Sequence, residues 1–116
     1  MEKTNLLRIV SRSFGEWTVL DVGGEVDINS APELKSAVCD AVDGAAINVA
    51  LDLTEVNFMD STGLAALVAG VKTCRERGGA MALVRPNRQI RRILSITGLW
   101  KILPTIESTE GLAKIA

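Results

Sequence analysis

Histidine and tyrosine are both missing from this 116-residue sequence. Without histidine the chain lacks the commonest general base near neutral pH and the commonest metal ligand. Phenylalanine and tryptophan occur only twice each, so the core must be aliphatic and base-stacking platforms are not expected. Neither sign of charge dominates: 13 basic against 14 acidic residues leave a net charge of −1. With a pI near 5.4, this balance gives no nucleic-acid footprint. The two cysteines, Cys39 and Cys74, fall in separate predicted helices and are expected to be buried free thiols in a reducing compartment. The most apolar run, Gly63 to Val71, lies between Asp60 and Lys72 and is too short to span a bilayer. The opening Met1-Glu2-Lys3-Thr4-Asn5 is polar and does not read as a secretory signal. A cytoplasmic location without membrane insertion is the expectation.

What is present is expected to fold as a single domain, residues 1–116. Its hydrophobic content of 47% is enough to bury a core without disulfides or metal. Leu6 to Val10 reads as a first strand, Phe14-Gly15-Glu16 as a turn, and Trp17 to Val22 as a second strand, together an antiparallel hairpin. Gly23-Gly24 then loosens the backbone. Ser30-Ala31-Pro32-Glu33 has capping-box spacing, and Leu34, Ala37, Val38, Ala41 and Val42 form the apolar stripe of a first helix. Ile47 to Leu53 alternates as a third strand. After Ser61, the residues Leu64, Leu67, Val68, Val71 and Cys74 mark a second helix that Gly78-Gly79 closes. Ala80 to Val84 is a fourth strand. Pro86-Asn87 starts a third helix with Ile90, Ile93 and Leu94 inward and Arg88, Arg91 and Arg92 toward solvent. Ile102-Leu103 is a candidate short strand, and Ser108 opens a small terminal helix. Trp17 and Trp100 are expected to pack in the core or along an edge. Crossovers of this length imply parallel pairing of the later strands. The fold class is therefore α/β, a mixed sheet of about four to five strands with an N-terminal antiparallel hairpin and about four helices.

The stretch with chemical content is Val56-Asn57-Phe58-Met59-Asp60-Ser61-Thr62-Gly63-Leu64, where an apolar strand ends in an acid and two hydroxyls and a helix begins. Asp60, Ser61 and Thr62 are first of all helix-capping residues. A catalytic serine at Ser61 would need an activating partner, and no Gly-x-Ser-x-Gly, Gly-x-x-x-x-Gly-Lys-[Ser/Thr] or Gly-x-Gly-x-x-Gly occurs, so self-contained catalysis is not expected. An exposed hydroxyl at a helix N-terminus is, however, a good phosphoryl acceptor. Free first-turn amides would stabilise the phosphate by roughly 0.3–1 kcal/mol, and up to about 2 in favourable geometry. Like-charge repulsion at the surface is on the order of 1 kcal/mol. Pressing a dianion into an apolar protein interface costs several kcal/mol unless cations meet it. A phosphate here would act chiefly by ejecting a partner.

Gly24-Glu25-Val26-Asp27, Leu51-Asp52-Leu53, Phe58-Met59-Asp60-Ser61-Thr62-Gly63-Leu64 and Ser95-Ile96-Thr97-Gly98-Leu99 together resemble bacterial anti-sigma factor antagonists, the single-domain members of the STAS family. The resemblance covers Leu6 to Ala116. It implies a STAS-like sheet and a partner-switching role. In that family the unphosphorylated protein binds an anti-sigma factor that is itself a serine kinase, releasing sigma factor; phosphorylation by that kinase separates the pair, and a PP2C-type phosphatase resets it. Carried over by motif, the phosphoacceptor is Ser61, and Asp27, Asp60, Ser61, Thr62 and Gly63 form the partner-binding site. ATP and metal belong to the partner, so no cofactor and no metal site are assigned here. Asp27→Ala is expected to weaken partner binding with little loss of melting temperature. The alternative is a non-switching STAS scaffold, or a subunit of a signalling or lipid-transport ATPase assembly.

Overall fold

The structure, a computed structural model, describes residues 7–44 and 47–115. Leu6, the proposed start of the first strand, lies outside them. The elements are β1 (Arg8–Phe14), β2 (Trp17–Val26), α1 (Ala31–Asp43), β3 (Asn48–Met59), α2 (Ser61–Glu76), β4 (Met81–Val84), α3 (Arg88–Thr97) and β5 (Thr105–Ile106). Two 3-10 helices, Leu99–Lys101 and Thr109–Lys114, replace further α-helix. Strand order follows chain order, β1 to β5. β1 and β2 are antiparallel and every later neighbour is parallel. Phe14 faces Trp17 across a two-residue turn, with Gly15 supplying the positive φ (+59°) that such a turn requires.

Because each crossover steps one strand in the same direction, a single handedness places all three α-helices on one face of the sheet. There Leu20, Val22, Val49, Leu51, Leu53, Met81 and Leu83 pack against Leu34, Val38, Leu67, Val71, Ile90 and Leu94. The opposite face carries a smaller cluster, Trp17, Val19, Ala50, Ala82 and Val84, covered by Leu112 of the terminal 3-10 helix. Burial on both faces explains why the inner strands read as nearly continuous apolar runs. Cys39 is half-buried and Cys74 buried, both free, and burial pushes the Cys74 thiol above its usual value.

Several local expectations are corrected. β2 does not stop at Val22 but runs through Gly23-Gly24 to Val26, and β3 runs past Leu53 to Met59, with register shifts between the two strands. The final strand lies at Thr105–Ile106, not Ile102-Leu103, because Leu103 is fully buried in the helix-side core. Val68 and Trp100 are 38% and 57% exposed and belong to the surface. The capping box at Ser30 does not form. Its hydroxyl instead donates to the Glu25 carbonyl (2.7 Å) and accepts from the Asp27 amide (3.0 Å).

Candidate functional site

β2 and β3 end side by side, with Val26 opposite Met59, so the residues that follow each strand emerge together. The Asp60 amide donates to the Val26 carbonyl at 3.1 Å, tying the start of α2 to the end of β2. Asp60 is the extended N-cap of α2. Its Oδ1 accepts from the amides of Thr62 (2.9 Å) and Gly63 (3.1 Å), and its carbonyl accepts from Leu64. Ser61 is therefore the first helical residue, and it is exposed, while Thr62 is half-buried and Gly63 buried. The cap corrects one part of the electrostatic expectation. Two first-turn amides that would have met a phosphate already serve the Asp60 carboxylate, so a phosphate at Ser61 arrives beside an anion that holds them.

Asp27 begins the adjoining loop. Its Oδ1 accepts from the amides of Asn29 (2.9 Å) and Ser30 (3.1 Å), and its carbonyl accepts from Ser30 and Ala31. The turn that launches α1 is thus built on Asp27, the structural role that Ser30 was expected to fill. Ile28, inside this turn, is 71% exposed. A shallow groove of about 310 Å³ runs between the two helices from this end, lined by Ala31, Pro32 and Lys35 of α1 and Thr62, Ala65 and Ala69 of α2.

The opposite flank of the junction is held by two residues that sequence reasoning did not place in the site. β4 pairs with β3 only along Val49 to Asp52, so among the described residues the last part of β3 has no strand on that side. Side chains from the start of α3 fill the role. Asn87 Nδ2 donates to the carbonyls of Val56 (3.3 Å) and Asn57 (3.1 Å), while its Oδ1 caps α3 through the Ile90 amide. Gln89 closes both backbone bonds of Met59: Oε1 accepts from the Met59 amide (3.2 Å) and Nε2 donates to the Met59 carbonyl (2.9 Å). Asn87 was legible as a helix cap, but no local pattern marked Gln89.

Away from the junction, Arg12 donates to Asp21 through Nε (2.7 Å) and Nη2 (3.2 Å) and reaches Thr109. That pairing with Asp21 raises the already high Arg12 pKa. Among the described residues no group of His, Cys, Asp and Glu could hold a metal ion, and no helix is long and apolar enough to cross a membrane.

A single sheet with its three α-helices on one face, and a capped Asp-Ser-Thr-Gly turn where β3 becomes α2, defines the class. The family model of the STAS domain matches residues 8–113, and the chain belongs to that family. Over 92 residues it is 38% identical to the anti-sigma-B factor antagonist of Listeria monocytogenes, an alignment spanning 78% of each protein. A crystal structure of an anti-sigma factor antagonist from Mycobacterium paratuberculosis matches with a TM-score of 0.84 at 24% identity, covering 98% of this chain and 97% of that one. The Bacillus cell fate determinant SpoIIAA in its phosphorylated form matches with a TM-score of 0.72 at 17% identity, covering 96% and 100%. At these identities the two structures establish a shared fold.

Proposed function

We propose that this chain is a cytoplasmic anti-anti-sigma factor switched by phosphorylation of Ser61. Unphosphorylated, it binds an anti-sigma factor serine kinase and frees the sigma factor. Phosphorylated, it lets go, and a PP2C-type phosphatase restores it. The chain supplies no catalysis of its own; ATP and metal come with the kinase. The observation that carries the reading is the exposed position of Ser61 at the first turn of α2, against a carboxylate that already occupies the Thr62 and Gly63 amides. Asp27, Asp60, Thr62 and the exposed Ile28 surround it as a recognition surface, with the groove between α1 and α2 leading from it. Gly63 serves this surface from beneath.

The physics of release follows from the cap. A phosphoserine adds about −1.5 to −2 of charge beside Asp60. Inside a closed interface without a facing cation, that charge costs several kcal/mol. Each 1.4 kcal/mol is about a tenfold loss of affinity, so the switch needs no change of fold.

The test incubates the protein with purified serine-kinase anti-sigma factors of the same genome and ATP, and maps the phosphosite by mass spectrometry. Phosphate on Ser61 is expected. Ser61→Ala should bind the kinase constitutively, and Ser61→Asp at least about tenfold more weakly in a titration. Phosphate only elsewhere, or equal affinity for wild type and both variants, would favour a non-switching scaffold instead.

A further inference from the structure

We propose that Gln89 is the positioning residue of the switch, holding the backbone from which Ser61 is presented. The proposal rests on reading Ser61 as the phosphoacceptor. Met59 stands two residues before Ser61, and its amide and carbonyl both bond to the Gln89 side chain, at 3.2 and 2.9 Å. Beyond Asp52, β4 gives β3 no further pairing, so this one carboxamide replaces a missing strand where the acceptor turn begins. On the other side, the Asp60 amide is fixed to the Val26 carbonyl. Ser61 therefore leaves a backbone clamped from both flanks, by β2 through Val26 and by α3 through Gln89. Asn87 extends the same clasp to Val56 and Asn57.

Phosphoryl transfer between two proteins requires the hydroxyl to be held in line with the donor phosphate, and errors near 1 Å can cost up to about 100-fold in rate. Gln89 lies on α3 and does not need to touch the kinase to act. Its loss should lower the rate of transfer more than the affinity of docking, because the docking residues around Asp27 and the groove remain in place.

Gln89→Met keeps the length and packing of the side chain and removes both hydrogen bonds. With the kinase that phosphorylates the wild-type chain, kcat should fall about tenfold while KM changes much less. Gln89→Glu retains an acceptor for the Met59 amide but sets a carboxylate against the Met59 carbonyl, and it should not restore the rate. Amide hydrogen exchange gives a readout without any kinase: protection at Met59 should be lost in Gln89→Met, while protection at Asp60, bonded to Val26, persists. An unchanged kcat in Gln89→Met, whether or not Met59 protection is lost, would overturn the proposal while leaving Ser61 as the acceptor. So would an equal fall in kcat for Leu112→Ala, a variant weakened on the opposite face of the sheet, since stability alone would then account for the loss. Failure of any kinase to modify the wild-type chain would overturn this proposal together with the reading on which it rests.

Discussion

Asp60 and Gly63 shape the same helical turn by different physics. Asp60 acts through charge and hydrogen bonding, accepting from two amides that the helix itself cannot satisfy. Gly63 acts through absence. A Cβ there would stand 2.5 Å from Met59 Cγ, 2.8 Å from Val26 Cγ1 and 3.1 Å from the Val26 carbonyl oxygen. Both neighbours are completely buried and have nowhere to retreat, so the close approach of α2 to the ends of β2 and β3 requires glycine. Gly63→Ala should therefore destabilise the domain by up to about 2 kcal/mol, the overpacking cost of about 1–3 kcal/mol less the roughly 1 kcal/mol of helix propensity that alanine returns. Urea denaturation measures this directly. An unchanged midpoint would mean that the turn relaxes without cost and that the glycine is not sterically required.

The turn that joins β2 to α1 shows a side chain doing two jobs. The Asp27 carboxylate closes the turn through Asn29 and Ser30 and also stands at the candidate interface. Asp27→Ala should thus cost about 0.5–2 kcal/mol of stability, as for a lost helix cap, in addition to partner affinity. This differs from the stability-neutral outcome expected on sequence grounds. Asp27→Asn keeps the accepting oxygen and should recover the stability but not the affinity if the partner reads the charge; melting curves beside a binding titration separate the two. Other elements show what sequence can carry. The hairpin was legible because Gly15-Glu16 separates two strand-forming runs, although β1 extends past the expected Val10 to Phe14, and the Asp60 cap with the helical start at Ser61 was legible because a helix start concentrates its signals in a few neighbouring residues. The end of β3 was not, since Thr54, Glu55 and Asn57 break the alternation where the register with β2 shifts. Ser30 carried the right cap spacing but was captured by Glu25 and Asp27. Gln89 left no trace because its partners lie 30 residues away in the chain, a separation at which only the assembled fold brings amide and backbone together.

For the molecule as a whole, the sheet divides the hydrophobic interior into two unequal parts and leaves the Ser61 turn beside the larger one. Three α-helices close the larger part. The smaller is closed by a single 3-10 helix, whose fully buried Leu112 packs with Trp17, Val19, Ala50, Ala82 and Val84. Ala50 and Ala82 are small, which lets that helix settle against the strands. Polar contacts help it only modestly, because the Arg12–Asp21 pair beside Thr109 is well exposed and such pairs contribute about 0–1 kcal/mol. Leu112 is then the principal anchor on this face. Leu112→Ala should cost about 2–5 kcal/mol, a large share of the roughly 5–15 kcal/mol that holds a typical domain together. Its consequence for function should be indirect, because α1, α2 and the Ser61 turn pack on the other face. In a titration under conditions where the variant remains folded, its affinity for the proposed kinase partner should match wild type, while urea denaturation shows the loss of stability. A weakened partner affinity in the fully folded variant would show that the two faces are coupled through the sheet, and that the proposed recognition surface depends on both.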